Sequence, residues 1–496
     1  MVEQLVPPPD PVECCERLAG LPYRLFLDSA ARGTRLGRYS FLTADPAFVV
    51  RSKGTRTECL DLRDEVPSVR SVDGDALDAV RALVAPHAAL PAPGLPPFQG
   101  GAAGYVAYDW GRVLERLPQP RHDDLALPDV VLGVYDWVLA WDHDSSGAWL
   151  ISTGLPATSS HAREARAAAR AKVILERLQS DPHRPIALSP YRHVKMPLSP
   201  RGGTPPSFPV EDGGWDAALE LRSSFTHRDY VEAVARVREY IVSGDIFQAN
   251  LSQRFEAPLG ESPWAFYRRL RARNAAPFAA YLDFPDAEVL SASPERFLQV
   301  TVEGRVETRP IKGTRSRGLG PEHDAALGLA LSESAKDRAE NLMIVDLMRN
   351  DLSRVCAPGT VRVPELFALE RYATVHHLVS TVVGELAPGM TAVDQLRAAF
   401  PGGSITGAPK VRAMEIIAEL EPSERGVYCG AIGYWSVTGA FDSSIAIRTA
   451  VARDRRVYFN AGGGIVADSD PELEYRETLD KARGLVDALK GSGLMA

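Results

Sequence analysis

The sequence predicts an α+β protein, and three observations lead there. Strand-like runs and amphipathic helical runs follow one another without regular β-α-β repetition. A long proline-rich break divides the chain, and the part before it reads as mixed sheet with turns. With 45% hydrophobic and 24% charged residues over 496 positions, the chain is an ordinary globular one, long enough for two core-forming regions.

Before the break, β-like runs at 48–51, 130–134 and 138–141 alternate with glycine- and proline-rich turns. An Ala/Arg/Glu-rich helix is expected at 161–178. From 180 to 214, Pro182, Pro185, Pro190, Pro197, Pro200, Pro205, Pro206 and Pro209 interrupt helix and strand periodicity alike, which predicts a linker or a long surface excursion. An amphipathic helix at 228–243 follows. Strands are then expected at 278–283, 296–302, 430–437, 443–452 and 456–461, interspersed with helices at 335–348, 391–399, 410–420 and 471–489. The organisation expected is an N-terminal region 1–179, a proline-rich linker 180–223 and a C-terminal region 224–490, with no internal repeat.

The net charge of −8 is small for this length, and no long lysine and arginine run marks a nucleic-acid footprint. No signal-peptide pattern opens the chain and no stretch reaches the length of an apolar membrane span, so a cytoplasmic protein without a membrane partner is expected. Cys14, Cys15, Cys59, Cys356 and Cys429 are odd in number and lack zinc-type spacing, which reads as free thiols.

Several segments could carry chemistry. In SAKDRAENLMIVDLMRNDL, Glu340 shares a helical stripe with Met343, Ile344 and Leu347, which puts a carboxylate on or beside a buried face. Spacing alone favours a surface ion pair with Lys336. A second acidic helix starts at Pro471, capped by Ser469 or Asp470, and carries Glu474 and Glu477 on one face. Converging carboxylates would suit a hard divalent cation, whereas by itself this is a solvated acidic helix start. Gly462, Gly463 and Gly464 follow a strand and leave backbone N–H groups open to an anion, without matching a phosphate loop. Gly402, Gly403 and Gly407 form a similar approach to Lys410. In RPIKGTRSRG, Lys312 lies in a segment too broken to be a regular helix; it is an amine nucleophile if its pKa is lowered, and otherwise a charge in a basic loop.

Together these stretches resemble the chorismate-utilising enzymes, and among them the aminodeoxychorismate synthase large subunits. The resemblance runs through GDIFQANLSQRF, SASPERF, RPIKGT, ENLMIVDLMRNDL, VHHLVSTVVGEL, PGGSITGAPKVRAMEII, GVYCGAIGY and DPELEYRETLDKA, and reaches upstream to PPFQGGAAGYVAYDWGRVLERLP and LPDVVLGVYDWV. It implies a layered α/β sandwich with mainly antiparallel sheets. It implies that Glu340, Glu474 and Glu477 hold magnesium, and that Lys410, Tyr428, Arg448 and the backbone at Gly462, Gly463 and Gly464 bind the two carboxylates of chorismate, with Gly313 and Thr314 nearby. Glu295 matches the general acid that assists departure of the ring C4 hydroxyl, and His377 an active-site histidine of open role. Lys312 stands where the related anthranilate synthases have PIAGT, and implies covalent attack at C2 before ammonia attacks C4. No cysteine sits in a Gly-x-Cys-x-Gly setting, so the resemblance implies a separate glutamine amidotransferase subunit as the ammonia source. A tryptophan pocket is matched loosely by Ser29, Arg38, Tyr39, Pro277, Phe278 and Ala279, with Asp28 where a less acidic residue is expected.

Overall fold

The structure is a computed structural model that describes residues 1–64, 66–180, 194–372 and 375–490. Among these residues two large sheets form, of 13 and 12 strands, and all their strand pairs are antiparallel. Side chains of both sheets meet in a core built from strands and their connecting loops, in which Phe41, Ala280 and Leu282 of one sheet face Tyr105, Ile432 and Tyr434 of the other. Helices cover the outer faces. Pro471–Leu489 packs Tyr475, Leu479 and Ala482 onto the first sheet beside the stacked rings of Phe255 and Phe459. Ala335–Ser353 and Ala392–Ala399 close the outer face of the second. The result is the expected α+β layering.

The proline-rich stretch divides the sequence but not the sheets. In the first sheet, Arg24–Asp28 from the N-terminal part pairs with Phe278–Asp283 from the C-terminal part. In the second, Gly101–Val106 pairs with Ala431–Ser436. Residues 181–193 of the break lie outside the described residues. Those that follow run as a strap tied to the body: Met196 donates its N–H to Asp286, and Arg201 pairs with Glu424.

Most expected elements are found within a residue or two, including Phe278–Asp283, Lys410–Leu420 and Pro471–Leu489. Pro471 occupies the first turn of the last helix, and Asp470 caps it by accepting from the Leu473 N–H at 3.0 Å. Two expectations need correction. The run 443–452 is not one strand. Phe441–Ile445 belongs to the second sheet and Thr449–Arg453 to the first, and the chain crosses between them through Arg448, which adopts a left-handed φ of 50°. Uniform β-like composition conceals such a crossing because both halves are equally apolar. The strand at 456–461 continues through the three glycines to Ile465, since Gly462, Gly463 and Gly464 pair with Ser252, Leu251 and Asn250. They are extended backbone, not an anion-binding loop.

All five cysteines are free and buried, and among the described residues no helix is long and apolar enough to cross a membrane.

Candidate active site

A cavity of about 670 Å³ opens between the two acidic helices and the ends of both sheets. Each wall comes from a different element. Strand Ile311–Ser316 contributes Lys312, Gly313 and Thr314; helix Ala335–Ser353 contributes Glu340; strand Val375–Glu385 contributes His377; helix Pro471–Leu489 contributes Glu474 and Glu477. Glu295, Tyr428, Arg448, Gly462 and Gly464 also line it. The structure therefore brings together every residue singled out for catalysis, substrate or metal except Lys410 and Gly463.

The glycines explain how so many charges meet. A Cβ on Gly463 would lie 3.0 Å from Glu474 Oε2 and 3.3 Å from Glu477 Oε1. One on Gly464 would lie 2.1 Å from Gln248 Nε2 and 3.3 Å from Lys312 Nζ. Successive strand residues point to opposite faces, so the bare strand lets the acidic helix approach from one side and the lysine from the other.

Burial sets the protonation of the groups inside. It pushes the Glu295 carboxyl up to about 7, while Ser404 Oγ donates to Oε1 at 2.7 Å and Lys312 pulls the other way. The Lys312 ammonium is shifted below the ordinary lysine value by burial, against the pull of Glu340. Burial raises Glu340, and raises Glu474 although Ser469 Oγ donates to it at 2.6 Å. Burial also pushes on Glu477, but the Lys481 ion pair at 2.6 Å outweighs it and holds that carboxyl low. His377 is pushed down to about 3 by burial and by Arg448, so its ring is neutral, and its Nδ1 lies 2.8 Å from Thr314 Oγ1. Arg448 makes no side-chain hydrogen bond or ion pair among the described residues, and burial lowers its pKa. A half-buried guanidinium without a counter-ion is poised to take a carboxylate.

Three expectations are corrected. The Glu340–Lys336 surface pair does not form; Lys336 reaches across the cavity mouth to Glu474 at 3.9 Å, because Glu340 turns inward. Lys410 is absent from the cavity wall. Its ammonium is locked to Asp351 at 2.7 Å and to the Ala399 carbonyl at 2.8 Å, beneath the first turn of its helix. The three glycines offer a strand edge in place of a looped cradle: the Gly462 carbonyl accepts from Lys481 at 2.8 Å. Among the described residues, no three His, Cys, Asp or Glu side chains converge tightly enough to cage a metal ion. The three glutamates nevertheless offer hard oxygen donors to one cavity, where Lys336 and Lys481 now balance part of their charge.

Sequence reasoning missed Ser404 and Lys481, and read Ser469 as a possible helix cap, not as the donor to Glu474. Lys481 was available as the i+4 partner of Glu477. Ser404 was not, since its bond to Glu295 spans 109 residues.

The six residues matched to a tryptophan pocket line a separate cavity of about 310 Å³ between the sheets. The acidic Asp28 at its edge is paired with Arg271 at 2.6 Å and accepts from the Tyr267 hydroxyl at 3.2 Å. Ser29 Oγ donates to the Tyr39 carbonyl, and Arg38 is bidentate on Asp142.

Residues 24–487 match the family model described as chorismate binding enzyme. The chain is 42% identical to aminodeoxychorismate synthase component 1 of Salmonella typhimurium over 95% of its own length and 94% of that protein's. It is 44% identical to anthranilate synthase component 1 of Streptomyces coelicolor over 84% and 78%. The crystal structure of anthranilate synthase component I from Streptococcus pneumoniae superposes with a TM-score of 0.74 at 33% identity, covering 90% of this chain and 92% of that one.

Gly464→Ala should push the Gln248 carboxamide aside, since the added Cβ would lie 2.1 Å from its Nε2, and with it crowd Lys312 at 3.3 Å, on an extended backbone that tolerates alanine. A turnover at least ~10-fold below wild type with a nearly unchanged thermal midpoint is expected, on the scale of a misplaced reacting group. Wild-type turnover would show that the close approach at this glycine is not needed.

Proposed function

As this chain belongs to the chorismate binding enzymes, whose family model spans residues 24–487, we propose that it aminates chorismate at C4 as the large subunit of an aminodeoxychorismate synthase. The observation that carries the reading is the pairing, in one cavity, of a half-buried lysine with depressed basicity and a buried carboxylic acid with raised pKa. Overall identity does not separate the two named branches, because relatives of both kinds lie at 40–44%. Lys312 supports the first branch: an anthranilate synthase adds ammonia directly at C2 and has no use for an amine on the protein there.

In this mechanism the neutral Lys312 amine attacks C2 of the ring, both ring double bonds shift by one position (C1=C2 to C1=C6, C5=C6 to C4=C5), and the C4 hydroxyl leaves as water after taking a proton from Glu295. Ammonia then attacks C4 and gives up a proton to the Glu295 carboxylate, both double bonds shift back, and the Lys312–C2 bond breaks, which restores the lysine and keeps the pyruvyl ether. Hydroxide is a poor leaving group, so the acid must be protonated near neutral pH, and the burial of Glu295 supports that. Arg448 and Tyr428 would hold the substrate's carboxylates. His377, neutral and fixed by Thr314, would orient polar groups of the substrate without adding charge. Glu340, Glu474 and Glu477 would hold magnesium, which supplies an electrophilic grip on the ring carboxylate when bound. Lys410 keeps its place as a support for the helix it begins, holding Asp351.

The ammonia is supplied by a glutamine amidotransferase partner in this reading, consistent with the component numbering of the relatives and with the absence of a glutaminase cysteine motif from the sequence. The separate cavity is proposed as a tryptophan pocket.

With chorismate, magnesium and ammonium, the purified chain should give a product whose mass retains the pyruvyl group, and Lys312→Ala should lower its rate by at least ~100-fold. Anthranilate as product would overturn the function, and a wild-type rate for the lysine variant would overturn its covalent role.

The rate should also depend on pH with a defined sign. Glu295 acts protonated, so kcat falls as pH rises through about 7, and Glu295→Gln should remove that limb and cost roughly 10²–10⁴-fold in kcat. A profile whose alkaline limb survives in the glutamine variant would assign the limb to another group.

A further inference from the structure

The amination reading turns on Lys312, yet among the described residues its ammonium makes no hydrogen bond or ion pair. Glu340, Glu295, Glu477 and Lys481 act on it only through space. Lysine carries its charge on a flexible stem, so an amine without a partner has no fixed direction. A nucleophile that must meet one ring carbon needs one. Close by is a polar group with the complementary want. Gln248 is 1% exposed, and its carboxamide oxygen is buried without a hydrogen-bond partner.

Strand pairing brings the two together. Asn250 pairs with Gly464 across the antiparallel ladder, so its side chain and the absent one of Gly464 share a face. Gln248, two residues before Asn250, stands on that same face. The point where a Cβ of Gly464 would stand lies 2.1 Å from Gln248 Nε2 and 3.3 Å from Lys312 Nζ, so carboxamide and amine meet in the space the glycine leaves. The backbone beneath is fixed, since Gln248 pairs with Ala408 and Asn250 donates its N–H to the Thr406 carbonyl at 2.7 Å. Rotation about the last side-chain torsion of Gln248, which is soft, exchanges Nε2 for Oε1 and gives the lysine its acceptor. One bond then satisfies both groups. Asn250 lines the large cavity, where substrate can reach it; Gln248 does not, and so acts through Lys312.

We propose that Gln248 is the positioning residue for Lys312: its carboxamide oxygen accepts an N–H of the amine and aims the nitrogen lone pair at C2 of the ring. The proposal rests on the covalent reading of Lys312. Attack of the neutral amine forms the N–C2 bond and leaves a secondary ammonium with two N–H groups. After ammonia has bonded to C4, the N–C2 bond breaks and its electron pair returns to nitrogen. The positive charge on that nitrogen therefore lasts from the first step to the last, and Gln248 Oε1 is a neutral acceptor for it throughout. Neutrality matters here. A carboxylate at the same place would hold the lysine as ammonium before attack and so remove the nucleophile.

Two variants move the amine in opposite directions. Gln248→Glu keeps size and shape, and should raise the titration midpoint of Lys312 by at least ~1 pH unit; Gln248→Met, which offers no comparable acceptor, should lower it. The midpoint is read from the pH dependence of Lys312 acetylation by acetic anhydride, with magnesium present and the labelled peptide quantified by mass. In turnover, Gln248→Met should reduce kcat at least ~10-fold while the KM for chorismate stays within about twofold of wild type. A Lys312 midpoint that does not move in Gln248→Glu overturns the proposal, as does wild-type kcat in Gln248→Met. If the methionine variant does not fold, the glutamate variant decides. Lys312→Ala at the wild-type rate would instead remove the covalent reading, and the labelling midpoint would still report whether Gln248 meets the amine.

Discussion

The site depends on the thinness of one strand. Gly463 and Gly464 present no side chains, so carboxylates on the last helix and an ammonium on the opposite sheet approach the same backbone from its two faces. Any larger residue would hold them apart. Opposite charges brought this close in a partly buried space shift one another's protonation, and the competition between burial and pairing decides each case. Lys312 and Glu295 lose to burial and move toward their neutral forms, whereas Glu477, with Lys481 at 2.6 Å, stays charged. A neutral amine and a protonated acid are the forms that nucleophilic attack with acid-assisted departure requires, and burial shifts both groups in that direction.

Much of the architecture was legible in the sequence because it rests on local signals. Proline and aspartate at the start of Pro471–Leu489, the apolar stripe of Ala335–Ser353 and the β-rich run Phe278–Asp283 each declare themselves within a few residues. The failures are equally physical. The crossing at Arg448 occurs inside a run of uniform composition, and only the assembly of two sheets shows that the chain changes partners there. The glycines were read as a loop because glycine disfavours strands, yet pairing with Asn250, Leu251 and Ser252 overrides that preference.

The candidate site was legible through family motifs and much less through spacing. Spacing offered Glu340 a neighbour in Lys336, but the side chain points into the cavity and the lysine spans to Glu474. Lys410 shows the opposite error. A lysine at the start of a helix, following flexible glycines, looks like an anion site, but its ammonium is consumed by Asp351 and a main-chain carbonyl. Ser404 holds the proposed acid from more than a hundred residues away, a contact that exists only once both sheets have closed.

That closure is also why the crossing at Arg448 matters. Among the described residues no counter-ion faces the half-buried Arg448 guanidinium, so its partial withdrawal from water is a cost that pairing does not offset. The left-handed backbone at the same residue adds roughly 1–2 kcal/mol. Both costs fall where the chain passes from one sheet to the other, a position fixed by strand pairing on either side: Ser444 is held to Arg296 and Ile432, and Thr449 to Ser291. The sheets thus hold in place a charge that would otherwise turn to solvent. An anionic substrate that supplies the missing counter-charge recovers part of that cost on binding, so the stability of the scaffold becomes affinity at the site.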